Sequence, residues 1–164
     1  MDDLFAPPGN AWRPVSPQLR RLRRTVLVVS VGVLLVILGV AGAVLHLLPD
    51  GVTLAVGVAI VLLTVLGWWV IGRNVRFWAY AERDDDLYIK HGALFRELVA
   101  VPYGRMQYVD VTAGPLEQLF GIAKVQLHTA SPRTDARIPG LPADEAARLR
   151  DRLTELGETR AAGL

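Results

Sequence analysis

Ser131, His128 and an aspartate at Asp110 or Asp135 have the types needed for a nucleophile, a base and its orienter, a set that requires closeness in space rather than in sequence. Their context argues against them. Ser131 precedes Pro132, which reads as a strand exit, and no Gly-x-Ser-x-Gly elbow is present. The histidines His46, His91 and His128 fall on different elements, and neither zinc-ligand spacing nor a Gly-rich phosphate cradle occurs. Asp84-Asp85-Asp86 offers the carboxylates that a hard cation prefers. No second acidic cluster answers it, so the triplet reads as a solvated turn. The absence of cysteine excludes disulfides and thiolate metal sites and fits a reducing compartment. The expectation is a non-enzyme with no catalytic, cofactor-binding or metal-binding residue.

Binding is the chemistry that remains, and arginines are its first candidates. Arg20, Arg21, Arg23 and Arg24 precede one uncharged apolar run, residues 25–48, and Arg73 and Arg76 follow a second, residues 52–72. Each run has about the 20 residues that a helix needs to cross a hydrocarbon core, and the first holds sixteen Val, Leu and Ile residues. Together they predict a transmembrane hairpin with a lead-in helix, spanning residues 16–72. Ala41-Gly42-Ala43 imitates a signal-peptidase site, but the run is longer than the roughly 7–15 residues of a signal peptide and a second span follows at once. An anchor is expected, bound integrally in the bilayer. The positive-inside rule places both termini in the cytoplasm, with Pro49-Asp50-Gly51 outside. Trp68 and Trp69 suit an interfacial belt, whereas Trp78 suits either that belt or a core. The six arginines read either as topology signals or as contacts to anionic headgroups, where each charge contributes about 1 kcal/mol. Gly39-x-x-x-Ala43 and Ala55-x-x-x-Ala59 are the candidate points of close helix approach.

The elements outside the bilayer must position everything else. Residues 1–15, with Pro7, Pro8, Gly9 and Pro14, predict a disordered arm; Ser16-Pro17 then reads as a helix N-cap followed by proline at the first helical position. Alternation predicts strands at 75–82 and 87–91 joined by the acidic turn, then at 97–101, 106–112 and 124–130, with a short edge strand at 137–139. Gly114-Pro115 breaks the chain before one helical turn, in which Leu116 and Phe120 are expected to bury against the sheet, with Gly114 and Gly121 supplying backbone freedom. Pro142 opens a last helix carrying the stripe Ala146, Leu149, Leu153 and Leu156, with Gly157 as its stop. These elements describe a small antiparallel barrel or sandwich over residues 73–158, closed by a helix and followed by a tail, 159–164. From residue 73 onward there are thirteen basic and thirteen acidic side chains, so the net charge of +2 comes from the membrane-proximal arm. A neutral domain without a basic stripe argues against nucleic acid as a partner.

The combination Arg105-x-Gln107-x-Val109, Gly114-Pro115-Leu116, Phe120-Gly121-Ile122, Val125, Thr129-Ala130-Ser131, Ile138-Pro139-Gly140-Leu141 and Glu145-Ala146 resembles the bacterial pleckstrin-homology-like domain of the YdbS-like membrane proteins. The order of basic arm, two-helix hairpin and one such domain is similar too. One difference is that Glu117-Gln118 stands where the family often has a basic pair. The resemblance implies two roughly orthogonal antiparallel sheets closed by a C-terminal helix, in a membrane-tethered interaction module found beside larger relatives carrying several such domains. On that reading Arg105, Gln107, Glu117, Gln118 and Thr129 form the candidate partner surface, and the partner is another membrane protein of this kind or a second copy. An anionic-lipid sensor is one alternative. A transporter or channel subunit is another, although the spans offer only His46 as an ionisable group.

Overall fold

The computed structural model describes residues 12–44, 49–93, 95–130 and 135–161. The chain divides into two compact units, one being Arg20–Arg73 and the other the residues up to Leu19 together with Asn74–Leu164.

Ser16 starts the first helix as its sequence predicts. Its Oγ accepts the Gln18 N–H at 3.2 Å, and Pro17 occupies the first helical position, where a missing N–H removes no bond. Helix α1, Pro17–Gly39, continues into a π-helical turn, Val40–Val44, and helix α2 covers Asp50–Arg76. Valine and leucine side chains lie exposed all round both helices, and no residue in the most apolar stretch of α2 is buried against protein. Side chains of this kind need hydrocarbon around them, so the pair forms a membrane hairpin. The helices approach closely at other points than the small-residue motifs predict. A Cβ on Gly39 would meet nothing, and Ala55 and Ala59 are exposed. A Cβ on Gly42, by contrast, would lie 2.6 Å from the Thr53 hydroxyl, and one on Gly67 would lie 3.4 Å from Leu27. Gly72 leaves room for the Arg24 guanidinium, which donates to the Trp68 carbonyl at 3.3 Å and stacks 4.4 Å from the centroid of that ring.

Among the described residues of the other unit, seven strands form two antiparallel sheets. Strands β1 (Arg13–Pro14), β2 (Ala79–Glu82), β3 (Asp86–His91) and β4 (Glu97–Pro102) pair in that order; β5 (Met106–Thr112), β6 (Ile122–Thr129) and β7 (Ala136–Pro142) form the second sheet. A five-residue helix, α3 (Pro115–Leu119), joins β5 to β6, and α4 (Ala143–Ala161) follows β7. Tyr80, Leu87, Ile89 and Val101 from the first sheet are no more than 2% exposed, as are Ile122, Val125, Leu127, Ile138 and Leu141 from the second and Ala146, Leu149 and Leu153 from α4. This is the expected architecture of helical membrane hairpin and β-rich domain with a closing helix.

Several boundaries differ from the sequence reading, each for a local reason. Residues 1–11 of the expected disordered arm lie outside the described residues, but Arg13–Pro14 is an edge strand, pairing Arg13 with Tyr80 and Pro14 with Ala79. Proline is tolerated there because an edge position need not donate to a second neighbour. Helix α2 runs to Arg76, so β2 begins at Ala79 and not at residue 75. Strand β7 is longer than residues 137–139 because a bulge absorbs Pro139-Gly140: the register jumps from Ala123↔Leu141 to Val125↔Ile138. Helix α4 passes through Gly157, where a Cβ would make only ordinary contact, and ends near Arg160, whose guanidinium pairs with Asp85. Gly114 has an extended backbone open to any residue, whereas Gly121 is left-handed at φ +64°.

The membrane hairpin is therefore inserted into the domain, between two strands that are neighbours in one sheet. The stretch before it is locked down. Val15 donates to the Trp78 carbonyl at 3.4 Å and Ser16 to the Gly140 carbonyl at 2.9 Å, while Leu19 is 3% exposed. Gly140 sits at φ +69°, and a Cβ there would come within 2.6 Å of the Leu19 Cβ. Leu19→Ala should destabilise the domain by about 2–5 kcal/mol. Gly140→Val should cost at least about 2 kcal/mol through the strained φ alone, before any clash. Both are read as loss of amide-exchange protection in β2 and β7 of the detergent-solubilised protein; wild-type protection in either variant contradicts the lock.

Candidate functional site

An open cleft of about 300 Å³ lies between the two sheets. The first sheet and its lead-in contribute Trp78, Ile89, His91, Glu97 and Val99 to its walls, and the second contributes Gln126, Asp135, Ala136 and Arg137. Alternation along β3 and β4 turns these side chains one way, and the pairing of His91 with Glu97 puts both at one rim. Trp78 stacks on His91 with centroids 4.7 Å apart, and the His91 Nε2 lies 3.5 Å from the Glu97 carboxylate. The cleft thus has an aromatic wall and a rim of mixed sign, with Glu97 and Asp135 opposed by Arg137.

A second polar cluster adjoins it at the end of β6. Asp135 accepts the Thr129 N–H at 2.9 Å and lies 3.2 Å from the His128 Nδ1, while the other ring nitrogen lies 3.5 Å from Asp110. The His128 ring also stacks on Tyr108 at 4.3 Å. Both aspartates that the sequence offers as partners for this histidine are beside it. Ser131, the nucleophile of that scheme, lies outside the described residues. No group of three metal-ligating side chains occurs among the described residues, and the Asp84-Asp85 turn is engaged by Arg160, which also donates to the Asp84 carbonyl at 3.3 Å.

The five residues expected to form one partner surface are divided. Arg105, in the 3-10 turn Tyr103–Arg105, and Gln107, at the β5 bulge, are exposed together. Glu117 and Gln118 sit beyond the other end of β5, about 20 Å away at 3.3 Å per residue. Both have local tasks: the Glu117 carboxylate accepts the Gly114 N–H at 2.7 Å, and the Gln118 amide donates to the Ala113 carbonyl at 2.9 Å. Thr129 is 8% exposed and turned inward. Leu116, expected to bury, is 52% exposed, because the turn packs only loosely over the sheet. Of the basic residues, Arg24 is committed to Trp68, and Arg73 stacks 5.6 Å from the Trp69 centroid. Arg21, Arg73 and Arg76 are exposed, and Arg20 and Arg23 are half-buried. The sequence analysis does not anticipate the cleft, because its walls come from residues far apart in the chain, Trp78 to Val99 on one side and Gln126 to Arg137 on the other.

A clasp of charges ties β1, β2 and α4 together. Arg148 reaches Glu82 at 2.6 Å and Glu145 at 2.8 Å, Arg13 reaches Glu145 at 3.1 Å, and the Tyr80 hydroxyl donates to Glu145. Hydrogen bonds from Arg148, opposed by burial and aided by Tyr80, hold the Glu145 carboxyl down at about 2, and burial pushes the Tyr80 phenol up to about 12.

Compared with known proteins, residues 25–157 match the family described as Bacterial PH domain. The chain is also similar to the UPF0699 transmembrane protein YdbS of Bacillus subtilis (strain 168), with 36% identity over 81 residues, which is 49% of this chain and 50% of that protein. The chain thus aligns with about half the length of that relative. No solved structure matches.

The clasp sets an acid limb for stability. The folded Glu145 value lies below the ordinary 4.5, so its contribution is complete above about pH 4.5 and is lost as pH falls toward 2. Glu145→Gln should lower stability at neutral pH by about 1–3 kcal/mol and flatten the decline between pH 4.5 and 2. Melting followed by circular dichroism across that range checks both; an unchanged acid slope in the variant refutes the assignment.

Proposed function

The chain belongs to the bacterial PH domain family as a YdbS-like membrane member, and on that premise we propose that it is an interaction module, not an enzyme, which holds a protein partner at the inner face of a bacterial plasma membrane. The observation that carries this reading is the sign pattern of the cleft: Glu97 and Asp135 line it beside Arg137, with Trp78 as an aromatic wall. Two carboxylates repel a phosphorylated headgroup, whereas mixed charge around an aromatic surface suits a polypeptide segment. The partner is another PH-like membrane protein or a second copy of this chain. Tethering favours even a weak contact, because a shared membrane raises the effective concentration of both partners.

Orientation follows the arginines, which abut the two ends of the hairpin and are absent from residues 49–51, so both termini and the domain face the cytoplasm. Conduction has little to work with. Among the described residues of the spans there is no ionisable side chain, and His46 lies outside them.

A photoreactive amino acid at Arg137, introduced into the full chain in native membranes, should form an adduct with a polypeptide, and Glu97→Arg should largely abolish it. Adducts restricted to lipid would transfer the cleft to the lipid-sensing alternative. Topology is checked separately in this cysteine-free chain: Asp50→Cys should react with an impermeant maleimide from outside, and Arg105→Cys only after lysis.

A further inference from the structure

Helix α3 turns its polar side chains back on its own backbone and its apolar ones outward. With Glu117 bonded to Gly114 and Gln118 to Ala113, Leu116 and Leu119, three residues apart on one face, stand 52% and 79% exposed. A second apolar tip occurs between β3 and β4, where Phe95 is 91% exposed. Both tips adjoin the points where the chain passes between this domain and its apolar runs. Gly121, just after α3, accepts the Ala143 N–H at 3.3 Å, and three residues back along the chain Gly140 accepts the Ser16 N–H and contacts Leu19. Arg96, beside Phe95, stacks 5.6 Å from the centroid of Phe77, the residue that follows α2. At the turn between β2 and β3, by contrast, the exposed groups are Asp84 and Asp85.

The tethers are short. From the buried Leu19 to Thr25, where the first apolar run begins, is six residues, which span at most about 20 Å fully extended, and from Gly72 to the buried Val75 is three, at most about 10 Å. The face of the domain carrying Leu19 and Val75 is therefore held within about 10–20 Å of the bilayer. Large apolar side chains held out at that face have hydrocarbon within reach. We infer that Phe95, Leu116 and Leu119 form a bilayer-docking surface, inserting into the boundary between headgroups and acyl chains of the leaflet from which the hairpin emerges. The surface is apolar, so it needs no anionic lipid.

Spin labels on Leu119→Cys and Phe95→Cys, each in the full chain reconstituted into zwitterionic phosphatidylcholine bilayers, test this directly. Both sites are exposed, so the substitutions leave the core untouched, and Asp84→Cys serves as the aqueous reference. Both labels are expected to be several-fold more accessible to oxygen than to a water-soluble nickel chelate, with the ratio reversed at Asp84. Chelate accessibility equal to that of Asp84 at either tip overturns the proposal. Shielding from both reagents also overturns it, in favour of a protein contact over the tips. Neither result depends on whether the cleft binds a polypeptide, so failure here is distinct from failure of the interaction reading.

Discussion

Gly140 has no side chain, and the domain uses that space twice. Its carbonyl accepts the Ser16 N–H, and its bare α-carbon lets Leu19 pack against a left-handed backbone that only glycine adopts at low cost. This contact fastens the stretch before the membrane hairpin to β7, while Arg13 and Pro14 pair with β2. The charged clasp around Glu145 then joins the same stretch to α4. Two sheets and the closing helix thus meet on a few residues that precede the first apolar run, and the domain is complete only when they are included.

Much of this was legible in sequence because it rests on periodicity. The uncharged runs, the alternation through 106–112 and the stripe Ala146, Leu149 and Leu153 each express a burial pattern that local order alone dictates. The misread parts depend on contacts distant in the chain. Trp12 to Val15 looks like coil because a two-residue edge strand has no periodicity, and its partner lies more than sixty residues later. Gly157 looks like a helix stop, yet Arg160 finds Asp85 across the fold and holds the last turn in place. The candidate residues Arg105, Gln107, Glu117, Gln118 and Thr129 are spread out for a similar reason: sequence proximity on β5 and α3 does not reveal that the two ends of a seven-residue strand are far apart.

The domain separates its polar and apolar exposed features. Mixed charge and aromatic rings gather in the cleft between the sheets, while Leu116 and Leu119 stand out on α3 and Phe95 in the turn between β3 and β4. A soluble domain with the same fold would have reason to cover those side chains, since exposed apolar groups promote association. Here the nearby bilayer removes that pressure and gives the same residues a place.

Placing the hairpin between β1 and β2 also has a consequence for biogenesis. The ribosome delivers β1 before either span and β2 only after both, so the first sheet cannot close until membrane insertion is over. If only one of the two helices were to cross, the two strands would be stranded in different compartments and could never meet. Assembly of the sheet is thereby a readout of correct integration, and a mis-inserted chain would be left with an open edge and an unfilled core for quality-control proteases to find.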